Sequence, residues 1–214
     1  MALKIKVCGM KYKDNIKDVA NLKPDYLGFI FYPKSKRFIG LDFDKSHLQE
    51  IDKSIEKVAV FVNAHHHEIV EFSRLYDIQT LQLHGDESAD FCKALKDEGF
   101  NIIKAFGVDA KFNFNSLNNY ADAVDYFLFD TKTLDYGGSG KVFDWEVLNN
   151  YTLAKPFFLS GGLSLSNLKE IENLKHPQLY VVDLNSKFEV EPGLKNKEML
   201  NEAFTIIRGI RNGK

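Results

Sequence analysis

Eight short apolar runs recur along the chain, each followed by a polar, amphipathic stretch long enough for a helix. The runs are Leu3 to Val7, Asp25 to Phe31, Lys57 to Val62, Gln79 to Leu83, Asn101 to Phe106, Tyr126 to Phe129, Phe157 to Ser160 and Leu179 to Leu184. They are rich in Val, Ile, Phe and Tyr and mostly continuous, as strands of a parallel sheet covered on both faces read. Among the intervening stretches, His67 to Tyr76 places Ile69, Phe72 and Tyr76 along one helical face. Ser88 opens a second helix with Phe91, Ala94 and Leu95 as its stripe and Gly99 just past its end. Ser164 or Ser166 is placed to cap a helix carrying Leu168 and Ile171. A last helix near Asn196 to Arg208 carries Met199, Leu200, Ala203, Phe204 and Ile207. Eight units in 214 residues leave about 27 residues each, enough for a compact parallel crossover. Their natural closure is a (β/α)8 barrel, and an open doubly wound sheet is the alternative. No Pro/Ser-rich linker divides the chain, so residues 1–214 read as a single α/β domain.

Composition narrows the function classes. With 28 Lys+Arg against 30 Asp+Glu, the net charge of −2 gives neither a nucleic-acid footprint nor a polybasic membrane patch. No apolar run approaches the roughly 20 residues of a membrane helix, and MALKIKVCGM reads as a strand broken by lysines rather than a secretion signal. The cysteines, Cys8 and Cys92, lie far apart and outside any Cys-x-x-Cys pair, which fits a reducing cytoplasm and no structural zinc. The internal His65-His66-His67 run reads as a solvated loop or helix start, because no carboxylate or cysteine stands at ligand spacing. The near-neutral surface favours a monomer, with a homodimer as the alternative. The chain is expected to carry no fused neighbour, since it ends soon after its eighth helix.

In a parallel barrel, chemistry gathers where strands end and the following loops begin. The first strand ends in Val7-Cys8-Gly9-Met10. Alternation puts Cys8 on one face with Lys4 and Lys6, and Leu3, Ile5 and Val7 on the other. The apolar set suits the helix layer, so Cys8 points into the barrel mouth with Lys6 about 7 Å below it. A retained Lys6 charge favours the thiolate; a small core hydrophobe is the plainer reading of the same cysteine. Asp130 ends the run Tyr126-Phe127-Leu128-Phe129-Asp130-Thr131 and by parity faces inward with Leu128 and Tyr126. It reads either as a turn residue or as a carboxyl whose neutral form is favoured in a partly dry mouth, which suits a general acid.

Two glycine clusters point to phosphate. Gly137-Gly138-Ser139-Gly140 follows strand six and Ser160-Gly161-Gly162-Leu163 follows strand seven. Backbone N–H groups bared by glycine form anion nests, although each cluster alone also serves as a flexible turn. Arg37, on the loop after strand two, can grip a planar carboxylate through two hydrogen bonds. His84, closing Leu81-Gln82-Leu83-His84-Gly85, reads equally as a ligand contact or a rim histidine.

Taken in order, these segments resemble the phosphoribosylanthranilate isomerase family of tryptophan biosynthesis. The resemblance rests on Lys6-Val7-Cys8-Gly9, on Leu27 through Arg37, on Val60-Phe61-Val62-Asn63, and on Gln82 through Glu87. It continues through Lys104-Ala105-Phe106, Phe129-Asp130-Thr131, Gly137 to Gly140 with Phe143-Asp144-Trp145, and Gly161-Gly162-Leu163. It implies a small TIM barrel that rearranges N-(5-phosphoribosyl)anthranilate to 1-(2-carboxyphenylamino)-1-deoxyribulose 5-phosphate, an Amadori reaction without metal or organic cofactor. By the same resemblance Asp130 is the general acid, Cys8 the general base and Arg37 the carboxylate clamp. The loops near Gly138, Gly140, Gly161 and Gly162 would hold the phosphate, with Asp183, Ser186 and Lys187 of the strand-eight segment and His84 also on the substrate.

Three segments depart from the family pattern. Met10-Lys11 replaces Ile-Thr, and Lys36 replaces the second proline of Pro-Lys-Ser-Pro-Arg, which implies a less rigid loop. Lys187 stands where a phosphate-facing glycine is usual, so an ammonium contact with the phosphate is expected. Rival readings are another phosphosugar barrel, such as an indole-glycerol-phosphate synthase or a ribulose-phosphate epimerase, and a barrel that binds without catalysis. The synthase is expected to carry catalytic Lys and Glu at strand ends and an N-terminal helical extension, where this chain starts directly with strand one. The epimerase is expected to present metal-binding His and Asp, a role His84 alone does not fill, and a mere binder needs neither Cys8 nor Asp130.

Overall fold

The computed structural model describes residues 2–40, 42–132 and 144–210. Strands β1 (Lys4–Cys8), β2 (Tyr26–Ile30), β3 (Glu56–Phe61), β4 (Thr80–Leu83), β5 (Asn101–Val108), β6 (Tyr126–Thr131), β7 (Phe157–Leu159) and β8 (Leu179–Leu184) pair in parallel, each with its sequence neighbour. β8 closes onto β1 with Lys4 opposite Val181 and Lys6 opposite Asp183, which makes the sheet a barrel and rules out the open alternative. The strands start and stop within about two residues of the apolar runs, a normal fraying margin. β6 runs on to Thr131 because its ladder with β5 continues through Gly107 opposite Asp130 and Val108 opposite Thr131. Asp130 is therefore held by a strand rather than by a turn.

The outer layer begins as expected with α1 (Lys13–Ala20), α2 (Ser46–Gln49), α3 (His66–Tyr76) and α4 (Ala89–Asp97), and α5 (Lys197–Gly209) closes it. The Ser88 hydroxyl caps α4 by accepting from Phe91 N–H at 3.2 Å, and Asn196 caps α5 by accepting from Met199 N–H at 3.0 Å. On α4 the inward face falls on Cys92 and Leu95, with Phe91 at its margin and Ala94 exposed, a rotation away from the expected stripe. His65 precedes α3 and its backbone N–H donates to Glu68 Oε2 at 3.0 Å, so the histidine run starts a helix.

The later crossovers differ. Phe114–Tyr120, Trp145–Asn150 and Leu168–Asn173 are 3₁₀ segments, not α-helices. Each buries two apolar residues at i, i+3 spacing: Phe114 and Leu117, Trp145 and Leu148, Leu168 and Ile171. A 3₁₀ helix stacks i and i+3 on one edge, so two anchors suffice to dock a short segment. Neither serine caps the third of these: Ser164 and Ser166 hydroxyls bond to each other at 2.8 Å, and the Ser164 carbonyl receives Asn167 and Leu168 N–H.

Packing falls into two layers. Between sheet and helices lie Ile5, Val7, Leu27, Phe29, Phe127, Phe129 and their neighbours. Inside the barrel sit Cys8, Tyr26, Val58, Val60, Ile103, Ala105, Leu128, Phe158 and Val181. The parity read for Cys8 and Asp130 holds: Cys8 shares the barrel interior with Leu128, and Val7 and Phe129 face out. Tyr126 stacks on Tyr180 with centroids 5.7 Å apart, and Lys4 lies 5.0 Å over the Tyr180 ring, closing the lower end. Among the described residues no helix is long and apolar enough to cross a membrane.

Candidate active site

The upper end of the barrel opens into a cavity of about 770 Å³, its open mouth included. Eight expected residues line it: Cys8, Arg37, His84, Asp130, Gly161, Gly162, Asp183 and, from the loop after β8, Ser186. Gly138 and Gly140 fall outside the described residues. Lys187 is exposed on the turn Ser186–Phe188 and is not part of the lining. Phe188 is fully buried and turns the segment into the core, which leaves Asn185 and Ser186 on the cavity side and carries Lys187 outward. The expected Lys187 contact is therefore not supported by its position, whereas Asn185 and Ser186 of the same segment face the cavity.

Cys8 ends β1 opposite Gly28 of β2. A side chain at position 28 would put a Cβ 2.8 Å from the Cys8 sulfur, so the absence of one makes room for the thiol. Burial pushes the Cys8 thiol above its ordinary value; Lys6 pulls it down and Asp183 offsets part of that pull. Lys6 does keep its charge: burial opposes it, but Asp183 and Cys8 hold the ammonium in place. Its Nζ is only 2.9 Å from Asp183 Oδ2, so the charge expected to support a thiolate is shared, and the resting group is a thiol. Asp183 has a second carboxylate oxygen, Oδ1, that is buried without a hydrogen-bond partner among the described residues. An orphan acceptor on a cavity wall is a place for a ligand donor.

Asp130 is pushed up to about 6, chiefly by burial, against a hydrogen bond from Thr131 N–H to Oδ1 at 2.7 Å. Gly161, at φ +91°, packs directly against it: a Cβ there would lie 2.5 Å from Thr131 N and 2.8 Å from Asp130 Oδ1. This glycine is needed for close approach to the carboxyl as well as for any anion nest. His84 Nε2 stands 3.6 Å from Asp130 Oδ2. Burial, with Lys104 and Lys6 adding repulsion, pushes His84 down to about 3, so the ring is neutral. Gln82 Nε2 lies 2.9 Å from His84 Nδ1; with the amide as donor, Nε2 carries the ring proton and presents it to Asp130.

Arg37 is not a free surface charge. Its Nε and Nη2 bond Glu189 at 2.6 to 3.0 Å, and Glu189 also receives Lys195 Nζ at 2.6 Å. Neither Glu189 nor Lys195 is among the expected site residues. Glu189 ends the strand-eight segment that resembles the family pattern, but its pairing with Arg37, 152 residues away, is not visible in sequence. Gln82 had a usable signal: it alternates with Leu81 and Leu83, so a polar side chain had to face inward. Lys104, buried beside it, is bound to Glu87 at 3.2 Å and to three backbone carbonyls, and ties down the loop that carries His84.

Residues 5–205 match the family described as N-(5'-phosphoribosyl)anthranilate (PRA) isomerase. The chain belongs to that family. It is an isomerase of tryptophan biosynthesis. The N-(5'-phosphoribosyl)anthranilate isomerase of Parabacteroides distasonis is 45% identical over 92% of this chain and 89% of that protein. The crystal structure of the isomerase from Thermotoga maritima, a dimeric protein of which monomers have been generated, superposes with a TM-score of 0.84. It shares 30% identity and covers 97% of this chain and 99% of its own. A further isomerase structure, holding reduced 1-(o-carboxyphenylamino)-1-deoxyribulose 5-phosphate, gives a TM-score of 0.81 at 26% identity over 97% and 99% of the two chains.

Proposed function

We propose that this chain rearranges N-(5-phosphoribosyl)anthranilate to 1-(2-carboxyphenylamino)-1-deoxyribulose 5-phosphate with Asp130 as general acid and Cys8 as general base. The observation that carries the assignment is a carboxyl held near 6 in the same cavity as a second, buried proton-transfer group. Asp130 donates its proton to the furanose ring oxygen. The C1′–O bond breaks as the anthranilate nitrogen lone pair forms the C=N of a Schiff base. Cys8, as thiolate, removes the C2′ proton, and those electrons form the C1′=C2′ bond of an enolamine. The enol proton is lost as C1′ gains one, leaving the C2′ ketone. Hydrogen moves within the substrate, so the balance calls for no external oxidant or cofactor. The neutral His84 ring, 3.6 Å from Asp130, adds no positive charge that would hold the carboxyl ionised.

Arg37 holds the anthranilate carboxylate. Glycine N–H groups at Gly161 and Gly162, with Ser186 and by resemblance Gly138 and Gly140, hold the phosphate. Asp183 Oδ1 accepts from a sugar hydroxyl. Two free, buried cysteines support a cytoplasmic setting. Among the described residues the exposed large hydrophobics are Tyr12, Leu75 and Val190, from separate elements, which supports a monomer.

Loss of anthranilate-derivative fluorescence on mixing with freshly generated substrate tests the reading, with wild type, Cys8→Ser and Asp130→Asn side by side. Turnover by wild type and collapse in both variants is the expected result. Retained turnover in either variant removes that residue from its role.

A further inference from the structure

We propose that Glu189 and Lys195 are positioning residues for Arg37: together they aim one edge of its guanidinium into the cavity and leave the cluster one positive charge for a carboxylate to neutralise. The inference rests on the isomerase reading and extends it to the choice of ligand. Glu189 takes Nε–H and one Nη2–H of Arg37. A guanidinium has five donors in a rigid fork, so the edge Glu189 does not use, Nη1 with the outer Nη2–H, is the one matched to a second carboxylate. Glu189 is itself fixed from the other side, by Lys195 Nζ at 2.6 Å and Gly193 N–H at 3.1 Å. Lys195 is locked in turn: Nζ donates to Asn185 Oδ1 at 2.8 Å, and its backbone exchanges two hydrogen bonds with Asn15.

The charge count gives the second half. Two cations share one carboxylate, and the Lys195 and Glu189 side chains are 0% and 4% exposed. Burial favours a neutral Glu189, yet Arg37 and Lys195 hold it below the usual carboxylate range. Burial pushes Lys195 down to about 8, so the ammonium persists at neutral pH. The residual charge sits beside the turn after Cys8, where Gly9 admits it: a Cβ on Gly9 would meet Arg37 Cδ at 2.7 Å and Asn185 Oδ1 at 3.0 Å. Since the cavity wall includes Arg37 and Asn185, a carboxylate entering there finds an oriented fork and an unbalanced positive field.

The test compares two probes, the reduced product analogue with its ring carboxylate and the same compound without it, titrated against full-length protein. For Glu189→Gln the carboxylate probe is expected to weaken roughly tenfold or more, because breaking or misaligning a charge-assisted hydrogen bond costs about that. The probe lacking the carboxylate should change less than about twofold. This variant adds positive charge, so tighter binding of the carboxylate probe overturns positioning in favour of bulk charge. Lys195→Met should weaken the same probe, and neither change should add to Arg37→Met. Additive losses, or equal weakening of both probes, overturn the proposal as a general packing defect would. In turnover the Glu189→Gln loss should fall on KM more than on kcat, whereas Lys195→Met also removes a charge that favours the Cys8 thiolate and should lower kcat as well. If Lys195→Met fails to fold, Glu189→Gln alone decides. Wild type that binds neither probe overturns the isomerase reading itself, a result distinct from the others.

Discussion

Asp130 destabilises the chain that carries it. Its carboxyl is 15% exposed and held near 6, against 3.8 ordinarily. A group raised on folding contributes stability that is fully present below the unfolded pKa and is lost as pH rises through the folded one. For Asp130 the window runs from about 4 to about 6, and above it the buried carboxylate costs of order 2 to 3 kcal/mol. Asp130→Asn should therefore unfold later in urea at pH 8 by about 1 to 3 kcal/mol while losing turnover, the difference shrinking as pH falls from about 6 to about 4. Activity has its own pH signature. Catalysis needs Asp130 protonated near 6 and Cys8 ionised above the ordinary 9.0, the reverse of the resting order. Only a small fraction of molecules is in that form between the two values, and the fraction stays constant across the interval. We expect kcat/KM to rise to about pH 6, run level, and fall only once the pH passes the raised Cys8 value. A profile peaking sharply near neutrality would contradict the assignment.

At the scale of single elements, two glycines set the strand ends around those groups. Gly28 gives β2 no side chain opposite Cys8, and a methyl there would enter the sulfur at 2.8 Å and the Cys8 Cα at 3.1 Å. Gly28→Ala should cost about 1 to 3 kcal/mol, the usual penalty of overpacking, and reduce kcat tenfold or more by displacing the base. Comparing melting with single-turnover rates separates the two effects. The 3₁₀ segments show how element type depends on length and anchor spacing. Leu168 and Ile171, with Leu174 just past the segment, keep an i, i+3 spacing that one edge of a 3₁₀ turn buries. The same apolar spacing is compatible with an α-helix in sequence.

For the whole molecule, the Lys6–Asp183 pair joins the first strand to the last across 177 residues. It lies inside the barrel where β8 closes on β1, with both side chains nearly out of solvent. Removing one partner leaves a buried charge alone, at a cost of about 3 to 5 kcal/mol. Lys6→Met is expected to lose that much in urea unfolding, and Lys6→Met with Asp183→Leu to regain most of it. Equal stability of the single and double variants would show that the pair does not hold the closure.

The sequence by itself determined the strands, their order and which face each presents, because alternation and apolar runs are local signals that survive without a fold. It also placed Cys8, Asp130 and His84 at strand ends and Arg37 on the loop after one, since a parallel barrel brings those ends together whatever its details. The tertiary structure alone decided the rest. Whether Lys6 serves Cys8 or Asp183 depends on which side chain β8 presents when the barrel closes. Whether Arg37 is a solvated charge or one arm of a buried cluster depends on Glu189 and Lys195 arriving from the far end of the chain. Lys187 read as a phosphate contact in line and turned outward once Phe188 had taken its place in the core. The dividing line is physical: period and burial are properties of neighbours along the chain, while pairing of charges and perturbed proton affinity are properties of neighbours in space.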